Sequence, residues 1–343
     1  MNSIQNPFKG RLLPAVKNGG FRMEDKMIWC GSVVKGEDGR YHMFASMWDR
    51  SMGFGANWLY HCKIVRAVSD CPEGPFRFEE VVIGPRGREY FDGMNAHNPY
   101  ILCHKGTYYL YYMGTTYGGD IAPDEDDRAL FCEVWNRKRI GLAVAESVYG
   151  PWKRFDEPIL SPRDCRFWDC TAVTNPAAAI LPDGQTYLLY KSRTFADDAL
   201  KIGVAYSKSP EGPFIRLSDE PILQNFGRES RVEDPFFWYA DGTFHLIIKD
   251  DTPDGKYCGE WGAGFYAEST DCLHWDIPEE AKVYGRHVRW DDKTETDQPN
   301  LERPFLLFEN GRPRCFYFAT GEGDAAYQIT HSYNIAVPVK QEK

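Results

Sequence analysis

"SRVEDPFFWYADGTFHLIIKDD", residues 230–251, sets Glu-Asp-Pro before an aromatic run, an Asp-Gly tip and a second apolar run that ends in two more acids. Asp-Gly tolerates positive φ at little cost, so the two runs read as an antiparallel hairpin. The segment alone does not explain why Glu233 and Asp234 stand at the mouth of a strand that otherwise looks buried. Repetition does. "SVVKGEDGRYHMFAS", "NPYILCHKGTYYLYYMG", "NPAAAILPDGQTYLLYKS" and "RPFLLFENGRPRCFYFA" share the layout: an apolar strand, a Gly-containing turn, and a second strand rich in Tyr, Phe, Leu and Ile. The turn glycines are Gly39, Gly106, Gly184, Gly242 and Gly311, an irregular period of 58 to 78 residues.

A third strand follows in most copies ("IVRAVSD", "IGLAVAES", "IGVAYSKS", "GAGFYAEST"), then a turn ending in an aromatic, such as "PEGPF" or "YGPW". Short fourth strands close three units, as "EEVVIG" and two copies of "EPIL". Five such units with almost no 3.6-residue periodicity describe an all-β fold, a five-bladed β-propeller of four-stranded antiparallel blades. A two-sheet sandwich explains the alternation but not five matching units. The fifth copy, ending in "SYNIAVPV", lacks a fourth strand, and the N-terminal "FKGRLLPAV" is expected to supply it and close the ring. No Gly/Ser-rich or Pro-rich tract divides the pattern, so residues 1–343 read as a single propeller domain.

Composition narrows the function. Hydrophobic residues make up 43% of the chain and aromatics 15%, enough for a large core and for ring faces that pack on sugars. A net charge of −10 argues against nucleic acid and anionic membranes as partners. The N-terminus shows no apolar signal-peptide region and no run is long enough to span a bilayer, so a cytoplasmic location is expected, or a periplasmic one if a leader precedes this sequence. The ten cysteines are scattered without a C-x-x-C pair and read as reduced core residues, Cys103 and Cys315 among them. "PDEDDR", 123–128, reads as a solvated loop rather than a calcium site. Nucleotide-binding, zinc-peptidase and nucleophile-elbow motifs are missing.

In a propeller the first strand of each blade lines the central channel, so equivalent positions converge on one axis. Aligning the copies on the residue before proline gives Asn98, Asn175, Asp234 and Arg303, with Gly31 as the rough match in the first blade. One position earlier stand His97, Thr174, Glu233 and Glu302; six positions before the slot stand Asp25, Asp92, Asp169, Arg228 and Asp297. Charged groups at five buried strand starts are costly unless they bind something or tie blades together. Converging carboxylates flanked by aromatics suit glycoside cleavage, one acid protonating the leaving oxygen and one carboxylate attacking or activating water. Trp29, Trp48 and Trp168 are candidate stacking platforms, and Lys191 and Lys249 are expected at the funnel, pairing with the carboxylates or binding an anion.

On this layout, and on stretches such as "GFRMEDKMIWCGSVVKGEDGRYHMFAS" and "SDCPEGPF", the chain resembles the five-bladed propeller glycoside hydrolases, family 43 with families 32, 68 and 117. The resemblance spans essentially the whole chain as architecture. It implies an Asp base in the first blade, an Asp modulator in the next and a Glu acid further on. The motifs depart from that pattern: the first-blade slot is Gly31, the second is Asn98, and the E-G-P copies at Glu73 and Glu211 lie at hairpin turns. The expected assignment is Asp25 as base, Asp169 as modulator and Glu233 as general acid. Asp234, His97, Asn98, Asn175, Arg303, Glu302, Asp92, Trp29 and Trp168 would bind the sugar. His97 also fits a resemblance to family 117, which is similar in using a histidine near the acid. The expected substrate is a short plant or algal oligosaccharide cleaved at its terminal sugar. No cofactor is called for, although a structural Ca2+ in the channel is compatible with the fold, as is a homo-oligomer. A phosphorylase built on Arg303, Arg231 and Arg228 and a non-catalytic sugar-binding propeller are the competing readings.

Overall fold

The computed structural model describes residues 4–122, 125–194, 199–223 and 231–341. Blade 1 consists of β1 (Lys26–Lys35), β2 (Tyr41–Asp49), β3 (Lys63–Ser69) and β4 (Arg77–Ile83), with a short helix α1 (Asn57–Tyr60) between β2 and β3. Blade 2 holds β5 (Asn95–His104), β6 (Thr107–Thr115), β7 (Arg139–Ala145) and β8 (Lys153–Arg154), with α2 (Arg128–Asn136) before β7. Blade 3 holds β9 (Thr174–Ile180), β10 (Thr186–Ser192), β11 (Lys201–Ser207) and β12 (Ile215–Arg216). Blade 4 holds β13 (Val232–Ala240), β14 (Thr243–Asp250), β15 (Gly264–Ser269) and β16 (Lys282–Tyr284). A small hairpin, β17 (His287–Arg289) and β18 (Glu295–Asp297), precedes blade 5, which holds β19 (Glu302–Glu309), β20 (Arg312–Ala325) and β21 (Gln328–Pro338).

Strands neighbour one another in sequence order and pair antiparallel, as five hairpin-built sheets require. All five turn glycines adopt φ between 72° and 96°, the region a side chain disfavours. The inner strands β1, β5, β9, β13 and β19 each touch the inner strands of both neighbours, so the ring is closed. Because blades cover both faces of these strands, they are nearly continuously buried instead of alternating.

The N-terminal segment does close the ring, although as a string of single bridges rather than a regular strand. Leu13 N–H donates to Pro338 (2.9 Å), Val16 N–H to Ala336 (3.0 Å) and Phe21 N–H to Asn334 (3.0 Å), all along the free edge of β21. Gly20, at φ 68°, lies so close to this edge that a Cβ would stand 2.0 Å from the Asn334 carbonyl oxygen. Phe8 plugs the seam, buried edge-on against Trp238 of blade 4 and Phe316 of blade 5.

Three details differ from the sequence reading. The "EPIL" segments contribute one bridge each, Ile140 to Leu160 and Ile202 to Ile222, while the regular fourth strands β8 and β12 form just before them. The acidic stretch before α2 is in part a helix start: Asp127 caps it, accepting from the Ala129 and Leu130 N–H groups. The cysteines are all free, with Cys315 buried but Cys103 exposed. No helix among the described residues is long and apolar enough to cross a membrane.

Candidate active site

Each inner strand carries the same defect. Between Trp29 and Ser32, His97 and Tyr100, Thr174 and Ala177, Glu233 and Phe236, and Glu302 and Phe305, two residues oppose one on the second strand. These are β-bulges, which re-aim a side chain and bend the strand. The first residue of each pair is left-handed: Cys30, Asn98, Asn175, Asp234 and Arg303 have φ between 51° and 56°. Cys30, not Gly31, is therefore the fifth slot; Gly31 takes the place of proline.

The five slot side chains meet at the axis. The Cys30 thiol donates to Asn98 Oδ1 (2.9 Å), Asn98 Nδ2 to Asn175 Oδ1 (2.8 Å) and Asn175 Nδ2 to Asp234 Oδ1 (2.6 Å). Arg303 closes the chain, donating from its backbone N–H to Asp234 Oδ2 (3.1 Å) and from its guanidinium to Oδ1 (3.3 Å). Asn98, Asn175, Asp234 and Arg303 thus form the floor of a funnel and are largely satisfied by one another. The guanidinium already neutralises Asp234 here, a poor setting for Ca2+, which takes six to eight oxygen ligands. Among the described residues no cluster of three or more His, Cys, Asp or Glu side chains could hold a metal ion.

Above this floor opens a cavity of about 920 Å³, within the range of ligand pockets. The residues one position before the slots, Trp29, His97, Glu233 and Glu302, line it. Its foot is a charged knot around Lys249, whose side chain is fully buried. The ammonium lies 2.6 Å from Glu302, 3.2 Å from Glu233 and 3.8 Å from Asp251, and it also donates to the Tyr327 hydroxyl (3.2 Å). Lys191 forms a second ion pair with Glu233. Burial opposes charge on Glu233, but Lys191 and Lys249 outweigh it and hold the carboxyl well below the usual carboxylate range. Glu302 goes the other way: burial raises its pKa, and Asp234 and Glu233 add to this against the pull of Lys249. Lys249, Asn300 and Tyr327 all donate to the same oxygen of Glu302, Oε1, and none of the three reaches Oε2. Asp251 is raised as well, chiefly by burial. His97, buried beside Arg303 and touching the Cys30 and Cys62 sulfurs, is pushed well below the ordinary histidine range by burial and is neutral.

Several expected site residues lie elsewhere. Asp25 projects from the surface, paired with Lys26 at 2.9 Å, and lines no part of the funnel. Asp169 is buried inside blade 3, clamped by Arg163 (2.7 Å), Arg216 (2.5 Å) and the Tyr190 hydroxyl (2.9 Å). Asp92 repeats that clamp in blade 2 with Arg86, Arg154 and Tyr112. Both are staples that hold outer-strand arginines, away from the cavity lining. Trp168 stacks on Tyr190 with planes 7° apart, and Trp48 packs with Phe54, neither on the cavity wall. Asp297 is exposed against His287, and Arg228 lies outside the described residues.

Tertiary structure adds residues that the strand alignment did not single out. Asp251 and Trp261 sit on the loop after β14, which Asp250 organises by accepting from the Thr252, Tyr257 and Cys258 N–H groups. Trp261 donates its indole N–H to Asp251 (3.1 Å). Tyr327, at φ 61°, stands at the tip of the long β20–β21 hairpin and reaches over the funnel to Glu302 (2.8 Å). Trp58 and Trp135, flanking Lys138, form another wall. The "KDD" ending of the opening segment was the one sequence signal for Asp251; nothing marked the others.

No protein-family model and no curated protein sequence matches the chain. Solved structures do. A glycoside hydrolase matches with a TM-score of 0.66 at 15% identity, covering 98% of this chain and 94% of that one. A family 117 glycoside hydrolase of the marine bacterium Zobellia galactanivorans matches with a TM-score of 0.63 at 17% identity, covering 96% and 89%. The arabinanase Arb43A of Bacillus subtilis matches with a TM-score of 0.57 at 14% identity, covering 91% and 94%. Over nearly its whole length, then, this chain has the five-bladed propeller fold found in glycoside hydrolases of families 43 and 117.

Proposed function

We propose that the protein is a glycosidase that cleaves a terminal sugar from a short oligosaccharide in the central funnel. The observation that carries this is the pairing, around Lys249, of two carboxyl groups pushed in opposite directions: Glu233, held well below the usual carboxylate range by two lysines, and Glu302, raised by burial. Environments that push two carboxyl groups apart in this way assign an acid and a base. Glu302 protonates the leaving oxygen through Oε2, and the Glu233 carboxylate meets the anomeric carbon. The roles thus differ from the sequence expectation, in which Glu233 was the acid and Asp25 the base. The Glu233 and Glu302 oxygens that contact Lys249 can be no farther apart than their two contacts combined, about 5.8 Å. Two carboxyl groups gathered on one ammonium can work by a retaining double displacement, in which the ionised carboxylate attacks the anomeric carbon. Trp29, Trp261 and Tyr327 offer ring faces to the sugar.

Leaving-group dependence tests the assignment. Glu302→Gln should retain activity on dinitrophenyl glycosides, which need no proton, and lose at least a hundredfold on unactivated ones. Glu233→Gln should lose both, with azide restoring turnover of the activated substrate. Wild-type rates for both variants across a panel of xylosides, arabinofuranosides, galactosides and uronides would refute the reading.

A further inference from the structure

Among the described residues, six basic and four acidic side chains line the cavity of a chain whose net charge is −10. Matching each acid with its nearest cation isolates the excess. Glu233 is met by Lys191 and Lys249, Glu302 by Lys249, Asp234 by Arg303 and Asp251 by Arg231. Lys138, just after α2, has no such match. It is 1% exposed and lines the cavity. Among the described residues its ammonium has neither a carboxylate at ion-pair distance nor a hydrogen-bond acceptor, and rests 3.6 Å from the centroid of the Trp135 ring. Arg193 stands 4.0 Å from the same ring.

Two cations gathered on one indole repel each other, and cation–π attraction offsets only part of that. Burial pushes Lys138 well below the ordinary lysine range; Lys191 and Arg193 add to the push, and Glu233, beyond ion-pair distance, opposes it. A buried cation without a counter-charge is costly unless something supplies the charge. Here the cavity it lines gives an anion a route to it.

We propose that Lys138, on the Trp135 wall, forms an anion subsite that takes an oxyanion when the substrate binds. The inference rests on the cavity being the site of glycoside cleavage and names its substrate class: a glycan bearing a carboxylate, sulfate or phosphate ester beside the bond cleaved. The same subsite chemistry fits free phosphate as the incoming group. The glycosidic oxygen would leave with the Glu302 proton as Glu233 bonds to the anomeric carbon; a phosphate oxygen would then displace Glu233, giving up its proton to Glu302.

The test is calorimetric titration of the full-length protein with D-glucuronate, inorganic sulfate, inorganic phosphate and, as neutral reference, D-xylose. Wild type should bind at least one of the anions tenfold or more tightly than xylose, and added salt should weaken that preference. Lys138→Met should abolish the preference and leave xylose affinity unchanged, while Lys138→Arg keeps it. Melting curves check folding: removal of a desolvated charge should leave the midpoint unchanged or raised. Glucuronate preference with turnover independent of phosphate places the anion on the glycan; turnover that requires phosphate places it on the co-substrate. Equal binding of anions and xylose, or undiminished anion binding by Lys138→Met, overturns the subsite. The glycosidase reading fails separately, through Glu233→Gln and Glu302→Gln retaining full activity.

Discussion

Lys249→Met isolates the charge on which the proposed chemistry depends. The side chain is fully buried and is the only cation at ion-pair distance from Glu302 among the described residues, whereas Glu233 keeps Lys191. Methionine fills similar space without charge, so the variant leaves a buried carboxyl without its counter-ion and opens little cavity. Breaking a buried pair from one side costs about 3–5 kcal/mol. Unfolding entropy of roughly 2.1 cal/mol/K per residue over 343 residues converts this into a melting-point drop of about 4–7 °C at pH 7. The cost depends on pH in a set direction. With Lys249 gone, the folded pKa of Glu302 rises further above its unfolded value of about 4.3. The folded protein then binds the proton more tightly than the unfolded chain, so the deficit is small below that value and grows as pH rises through the folded pKa. Differential scanning calorimetry of wild type and variant at pH 4, 5.5 and 7, at one scan rate, reads it out. Lys249→Met/Glu302→Gln should recover most of the loss, because the remaining amide needs no counter-charge. A variant as stable as wild type at pH 7, or a deficit that does not shrink in acid, would refute the electrostatic account of the knot.

The proposed acid and base also set a pH profile: kcat/KM should fall as pH rises through the raised pKa of Glu302. It should show no acid limb until well below the ordinary carboxylate range, where Glu233 takes up its proton; pH–rate curves on an unactivated glycoside measure both limbs. Asp169→Asn leaves Arg216 without its anion, while Arg163 keeps Asp219, and should cost about 3–5 kcal/mol of stability, read by calorimetry. In the folded fraction kcat/KM should stay within about twofold of wild type, and a hundredfold loss there would return Asp169 to the reaction. Asp25→Asn, on an exposed side chain, should change neither melting point nor turnover. Phe8→Ala should cost about 3–5 kcal/mol, because it empties the aromatic seam where the ring closes, and the loss should appear as earlier melting.

Strand count, hairpins and the five-fold repeat were legible in the chain because they depend on local chemistry: Gly at positive-φ turns and apolar runs of strand length. The repeat also placed Glu233, Glu302 and His97 at the funnel, since equivalent positions on one axis converge whatever residues fill them. Where it failed, the reason is geometric. Alignment on proline put Gly31 in the first slot, but a bulge counts two residues against one, and its left-handed member is Cys30. The aspartates six positions earlier align as well as the slots do, yet an offset of six carries Asp92 and Asp169 off the axis to the outer-strand arginines. Sequence could not rank the carboxyl groups either, because a pKa is set by neighbours distant in the chain. Lys249 pairs with Glu302 from the next blade, and Tyr327 reaches Glu302 from a hairpin tip. Periodicity within the chain fixed the wheel and the residue types facing its hub. Only the closed ring, by bringing charges from separate blades within a few ångströms in a buried knot, decided in which direction each carboxyl is pushed.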